Sequence, residues 1–91
     1  MYILSKDEKR FVNFDNVATI YIHKITFHHA TRCEDEKYWQ IRVMYPAVSN
    51  DILWDKLDEF KTEEECKDAF NRLCFRIATG SNYEVIDMND L

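Results

Sequence analysis

The sequence predicts an α+β domain: an antiparallel sheet of about five strands, one C-terminal helix packed on one face, and a candidate last edge strand. Three observations lead there. Residues 62–77 carry an apolar stripe at helical spacing, set between a capping signal and the only glycine of the chain. Residues 37–45 alternate polar and apolar side chains, the period of a strand with one buried face. Residues 17–29 are crowded with β-branched and aromatic side chains, which fit a pleated surface.

Taken in order, residues 2–5 and 11–14 read as a hairpin around the charged turn Lys6-Asp7-Glu8-Lys9-Arg10. That turn lacks glycine, which argues for a longer loop rather than a tight two-residue one. Asp15 and Asn16 then break the run. In the long strand over 17–29, Ile20 and Ile22 share one face whereas Ile25 and Phe27 share the other. Either a β-bulge at His23-Lys24 corrects the phase, or the strand is apolar on both sides. After a polar loop over 30–36, Trp39, Ile41, Val43 and Tyr45 point one way, and Tyr38, Gln40, Arg42 and Met44 the other. Pro46 ends that strand. Residues 52–60 alternate less cleanly, with Leu53 and Leu57 opposed to Ile52 and Trp54, and read as a strand with a short helix as the alternative.

The helix is the best specified element. Thr62 caps it, with Glu65 three residues on completing a capping box. Glu63, Glu64 and Glu65 lie at the positive end of its dipole, and Arg72 and Arg76 near the negative end. Cys66, Ala69, Phe70, Leu73, Cys74 and Ile77 form its stripe, and Gly80 suits a left-handed stop. Residues 83–86 are the candidate edge strand.

The chain has 91 residues, of which 46% are hydrophobic and 14% aromatic, so a single domain with a small core is expected. Met1 leads through three apolar residues to charge at Lys6, too short for a signal peptide, and no run approaches a membrane span. A cytoplasmic protein without membrane contact is expected. Cys66 and Cys74 on the helix stripe read as buried free thiols, and Cys33 in the polar loop as exposed.

Net charge is −5. Residues 51–68 alone hold eight acids against three lysines, and the rest of the chain balances. Direct nucleic-acid binding is therefore disfavoured, since it needs a concentrated positive face. A partner-binding edge of Trp54, Asp55, Asp58, Glu59, Glu63 and Glu64 is compatible with the pattern. So is a solvated face, the commoner meaning of such a run.

Other chemistry is thin. His23, His28, His29 and Cys33 are the nearest approach to a metal cluster, but His28 and His29 point to opposite faces of a strand and the spacing matches no zinc pattern, so no metal is expected. Cys33 beside His28 or His29 lacks an orienting acid and an oxyanion site, so no enzyme is expected. One glycine excludes a phosphate-cradling glycine loop, and no cofactor is expected. Tyr21, His23, Tyr38 and Arg42 can share one sheet face, either as a patch that stacks a base and pairs a phosphate or as ordinary cross-strand packing.

The opening run Ser5 to Ile22, SKDEKRFVNFDNVATIYI, resembles the start of short uncharacterised proteins of low-GC Gram-positive bacteria and their phages. The resemblance covers about the first quarter of the chain. It implies a phage or mobile-element origin and no catalytic residues.

Two functional classes follow. The first is a non-enzymatic protein-binding domain, in its most concrete form a phage inhibitor of a host defence protein that acts by occlusion, with an acidic edge imitating nucleic acid. The second is a nucleotide-binding or sequestering protein that uses Tyr21, His23, Tyr38 and Arg42, with Trp54 as a further candidate, at a dimer interface. One helix cannot cover both sheet faces. The surplus apolar surface therefore predicts a cover, either a second copy or a host protein.

Overall fold

A computed structural model describes residues 1–31, 33–47 and 50–91. The observed order is β1 (Tyr2–Leu4), β2 (Phe11–Asn13), a 3-10 turn (Phe14–Asn16), β3 (Thr19–Phe27), β4 (Glu36–Met44), β5 (Trp54–Phe60), α1 (Glu63–Thr79), β6 (Val85–Asp87) and a second 3-10 turn (Met88–Asp90). The class is α+β, but the strands form two sheets of three rather than one of five, in the orders β2-β1-β6 and β3-β4-β5.

The split begins at Asn13. Its side chain accepts a hydrogen bond from the Asp15 amide and closes the 3-10 turn, and Val17 N–H bonds back to Phe14. The chain is redirected there, so β2 and β3 do not become neighbours. Residues 83–86 were expected at the edge of an antiparallel sheet. The strand found there, β6, runs parallel to β1, with Ile86 opposite Ile3.

β3 and β4 pair residue for residue from Thr19–Met44 to Phe27–Glu36, so no bulge interrupts His23-Lys24 and β3 is a two-faced strand. The irregularity lies instead in β5. Lys56 stands opposite Arg42 and Asp58 opposite Ile41, leaving Leu57 as the extra residue. This bulge turns both Leu57 and Asp58 inward, where both are buried. Ile52 and Leu53 precede the strand and are exposed, which corrects the expected pairing of Leu53 with Leu57 on one face.

The helix starts where the sequence places it. Thr62 Oγ1 accepts from Glu65 N–H at 3.3 Å, and three glutamates occupy the first turn. Its end differs from expectation, because Gly80 lies at φ −80°, ψ 165°, ordinary extended backbone. Glycine is required by crowding. A Cβ there would lie 2.8 Å from the Arg76 carbonyl oxygen and 2.9 Å from Met1 Cε.

Cys66 and Leu73 of α1 pack into a core with Ile41, Val43 and Leu57 from one sheet and Ile3, Val12 and Ile86 from the other. Ile20, Ile22, Trp39 and Phe60 lie around it on the helix side of β3-β4-β5. That leaves the opposite face of this sheet without the helix.

Candidate functional site

The face of β3-β4-β5 turned away from α1 is set by strand parity. It carries Tyr21, His23, Ile25 and Phe27 from β3, opposite Arg42, Gln40, Tyr38 and Glu36 of β4. Beyond β4 it continues as Trp54, Lys56 and Glu59, opposite Met44, Arg42 and Gln40. Tyr21, His23, Tyr38 and Arg42 therefore share one face. Phe27 is 54% and Trp54 45% exposed.

Within this face the polar groups bond to one another. The Arg42 guanidinium lies 3.7 Å over the Trp54 ring, a stacked cation–π pair. Arg42 Nε donates to Gln40 Oε1 at 2.8 Å, and Gln40 Nε2 donates to Glu59 Oε1 at 2.6 Å. Gln40 is consequently buried despite facing outward. Tyr38 Oη donates to Glu36, and this acceptor raises the phenol pKa above its usual value, helped by partial desolvation. Tyr21 meets His23 edge to face, with ring centroids 6.4 Å apart. The result is a stiff aromatic surface in which one arginine is held flat. Neither the Arg42–Trp54 stack nor its link to Gln40 was read from the sequence. The residues are twelve positions apart and meet only through the β4–β5 register.

The acidic edge is not one surface. Trp54 and Glu59 belong to the face just described, whereas Glu63 and Glu64 lie on the first turn of α1. Asp55 Oδ1 pairs with Arg10 at 3.2 Å and its Oδ2 accepts from Tyr45 Oη at 2.7 Å. That bond follows burial as a cause of a Tyr45 pKa pushed up to about 12. Asp58 turns inward at the bulge and is only 8% exposed, and burial raises its pKa although its carboxylate accepts the Glu59 amide. Glu63 pairs with Lys67 at 2.8 Å. Four of the five carboxylates are thus bonded within the chain, and Glu64 is exposed.

The histidines of the β3–β4 connection face separate carboxylates. His28 Nδ1 lies 2.8 Å from Asp35 Oδ1, and His29 Nε2 lies 3.1 Å from Glu36 Oε1. His23 lies farther along β3 on the open face, and Cys33 is exposed in the loop. Among the described residues no three of His, Cys, Asp and Glu converge to hold a metal ion. Nor, among them, is any helix long and apolar enough to cross a membrane.

A second feature borders the open face. The β1–β2 turn leans on β5: Lys6 N–H donates to the Leu57 carbonyl at 2.8 Å, and Arg10 reaches Asp55. Between them is a cleft of about 330 Å³ lined by Asp7, Lys9, Arg10, Gln40, Trp54, Asp55 and Lys56. In sequence Lys9 and Arg10 are only part of a charged turn. Their approach to Lys56 depends on docking across the strand edge. Comparison of the chain with family models, curated proteins and solved structures finds no match.

Proposed function

We propose that this is a non-enzymatic binding domain that takes a protein partner on the open face of the β3-β4-β5 sheet. One observation carries the reading: the single helix covers one side of this sheet, while the other presents Tyr21, Ile25, Phe27, Tyr38 and an arginine stacked on Trp54. Trp, Tyr and Arg are the side chains that most often dominate protein interfaces, because each brings large area with little conformational freedom to lose. The polar groups here are already bonded to one another, which favours a preformed contact surface over a site that moves protons. A protein is favoured over a nucleic acid because the net charge of −5 repels a polyanion.

Occlusion of a host protein by a phage-encoded inhibitor is the concrete form of this proposal, and the likeness of residues 5–22 is what supports it. An acidic edge imitating nucleic acid has less support, given the internal bonding of Asp55, Asp58, Glu59 and Glu63.

Affinity capture from host extract tests the proposal, using the wild type, Tyr21→Ala/Phe27→Ala, and Phe75→Ala as an exposed control on the helix. A protein captured by the wild type and Phe75→Ala but lost with the sheet variant supports it. Capture that survives the sheet substitutions, with the fold verified by circular dichroism, refutes it. Sedimentation equilibrium at micromolar concentration shows whether a second copy is the occupant instead.

A further inference from the structure

The cleft between β5 and the β1–β2 turn has features the open face lacks. Its outer wall is built rigidly from a segment without glycine. Ser5 is buried, its Oγ donates to Asp7 Oδ1 at 2.6 Å, and it accepts from Arg10 N–H at 3.0 Å. Asp7 Oδ1 also accepts the Lys9 amide at 3.0 Å. Glu8 takes a positive φ of 62°, a left-handed conformation that side-chain-bearing residues seldom adopt. A turn held in this shape, and tied to β5 at Leu57 and Asp55, places Lys9 and Arg10 at the cleft in a defined way.

The charges lining the cleft are unequal. Asp55 is matched by Arg10, which leaves Lys9 and Lys56 with Asp7 among the charges of the lining, while Lys56 also faces Asp58 beyond it. The Asp7 carboxyl is held below its usual pKa first by the hydrogen bonds from Ser5 and Lys9, then by the ammonium groups of Lys9 and Lys56. Trp54 lines the cleft as well, with Arg42 stacked on its ring. A cleft lined by an aromatic ring with an arginine stacked on it and by two lysines has the side-chain chemistry that recognises a planar base carrying a phosphate. The volume of about 330 Å³ lies at the lower end of the range for small-molecule sites, roughly 300–1,000 Å³.

We infer that this cleft is a binding site for a nucleoside monophosphate, with the base against Trp54 and the phosphate between Lys9 and Lys56. The site is distinct from the aromatic surface of β3. It needs no dimer, because one chain supplies every lining residue.

The two tryptophans make the test internally controlled, since Trp54 lines the cleft and Trp39 packs on the helix side of the sheet. In ¹H–¹⁵N spectra, adenosine monophosphate should shift the Trp54 indole N–H saturably and leave the Trp39 indole in place. Adenosine and inorganic phosphate, titrated separately, should each bind at least tenfold more weakly than the nucleotide. Lys9→Ala/Lys56→Ala should weaken nucleotide binding at least tenfold in a protein whose circular dichroism shows the fold intact. The inference is overturned if the Trp54 indole does not move up to millimolar nucleotide, or if both indoles move together. It is equally overturned if the double variant binds as the wild type does, or if phosphate alone matches the nucleotide.

Discussion

Replacing Gly80 with alanine should destabilise the protein, for a reason opposite to the usual one. At φ −80°, ψ 165° the backbone suits any residue, so alanine brings no conformational strain. Loss of unfolded-state freedom would by itself favour alanine by about 0.4–1 kcal/mol. Against this, the new methyl would lie 2.8 Å from the Arg76 carbonyl and 2.9 Å from Met1 Cε, and would collide with the Glu84 carboxylate. Met1 can give way; the carbonyl is backbone. Glu84 can leave only by loosening its 2.7 Å bond to Arg76 Nη2. Overpacking of this kind costs about 1–3 kcal/mol, so a net loss of about 1–2 kcal/mol remains after the entropic gain. The melting temperature should fall by roughly 4–8 °C for each kcal/mol. Thermal melts of Gly80→Ala, Gly80→Asn and Gly80→Ala/Glu84→Ala decide the matter. Asparagine should be no better than alanine, and removal of Glu84 should make the glycine substitution less costly than in the parent. An unchanged or higher melting temperature for Gly80→Ala would refute the crowding. Preferential tolerance of asparagine would restore the left-handed stop.

Three further outcomes are expected. Thr62→Ala should cost about 0.5–1 kcal/mol, the lower part of the range for caps, because the bond it loses is long and exposed; an unchanged denaturant midpoint would mean the helix begins elsewhere. A thiol reagent on native protein should modify Cys33 quickly and Cys66 slowly, since Cys33 is exposed while burial, then Asp58 and Glu63, push the Cys66 pKa to about 11; equal rates at the two would contradict the packing of α1. Asp58→Asn should raise the denaturant midpoint at neutral pH and lose that advantage in acid. A carboxyl whose folded pKa is raised contributes most while protonated, and that stability is lost as pH rises through the folded value. A variant less stable than the wild type at pH 7 would show that the Asp58 charge supports the fold.

The helix was legible because its signals are local: Thr62, three glutamates, and a stripe whose every member lies within four residues of another. β4 was legible for the same reason, its alternation matching the observed faces apart from the burial of Gln40. What escaped were the long-range decisions. Nothing in residues 83–86 shows that the strand there will lie parallel to β1, since its partner is at the far end of the sequence. The phase change in β3 left a bulge and a two-faced strand open, and the unbroken register with β4 decides for the two-faced strand. The real bulge falls at Leu57, where a buried leucine beside a buried aspartate spoils the period. Of the candidate residues, parity groups Tyr21 with His23 and Tyr38 with Arg42, and the β3–β4 register brings the two pairs onto one face. The acidic edge failed to form one surface because charge counts carry no information on which carboxylates turn inward.

The position of β1 between β2 and β6 bears on how the protein is made. During synthesis β1 precedes the other strands of the fold, while β6, which completes its sheet, follows all of them. Until then β1 can pair only with β2, three residues against three, and so short a ribbon is marginal in water. Ile3, fully buried in the finished protein, would remain wet until β6 arrives. Strands β3 to β5, joined by neighbours in sequence, can assemble earlier and give α1 a surface to dock on. Closing β1 against β6 joins Tyr2–Leu4 to Val85–Asp87, a long-range contact of the kind that slows folding. The nascent protein should therefore pass through a stage with one sheet formed and the other open along β1, which makes that edge the point of greatest risk for mispairing between chains on the same message.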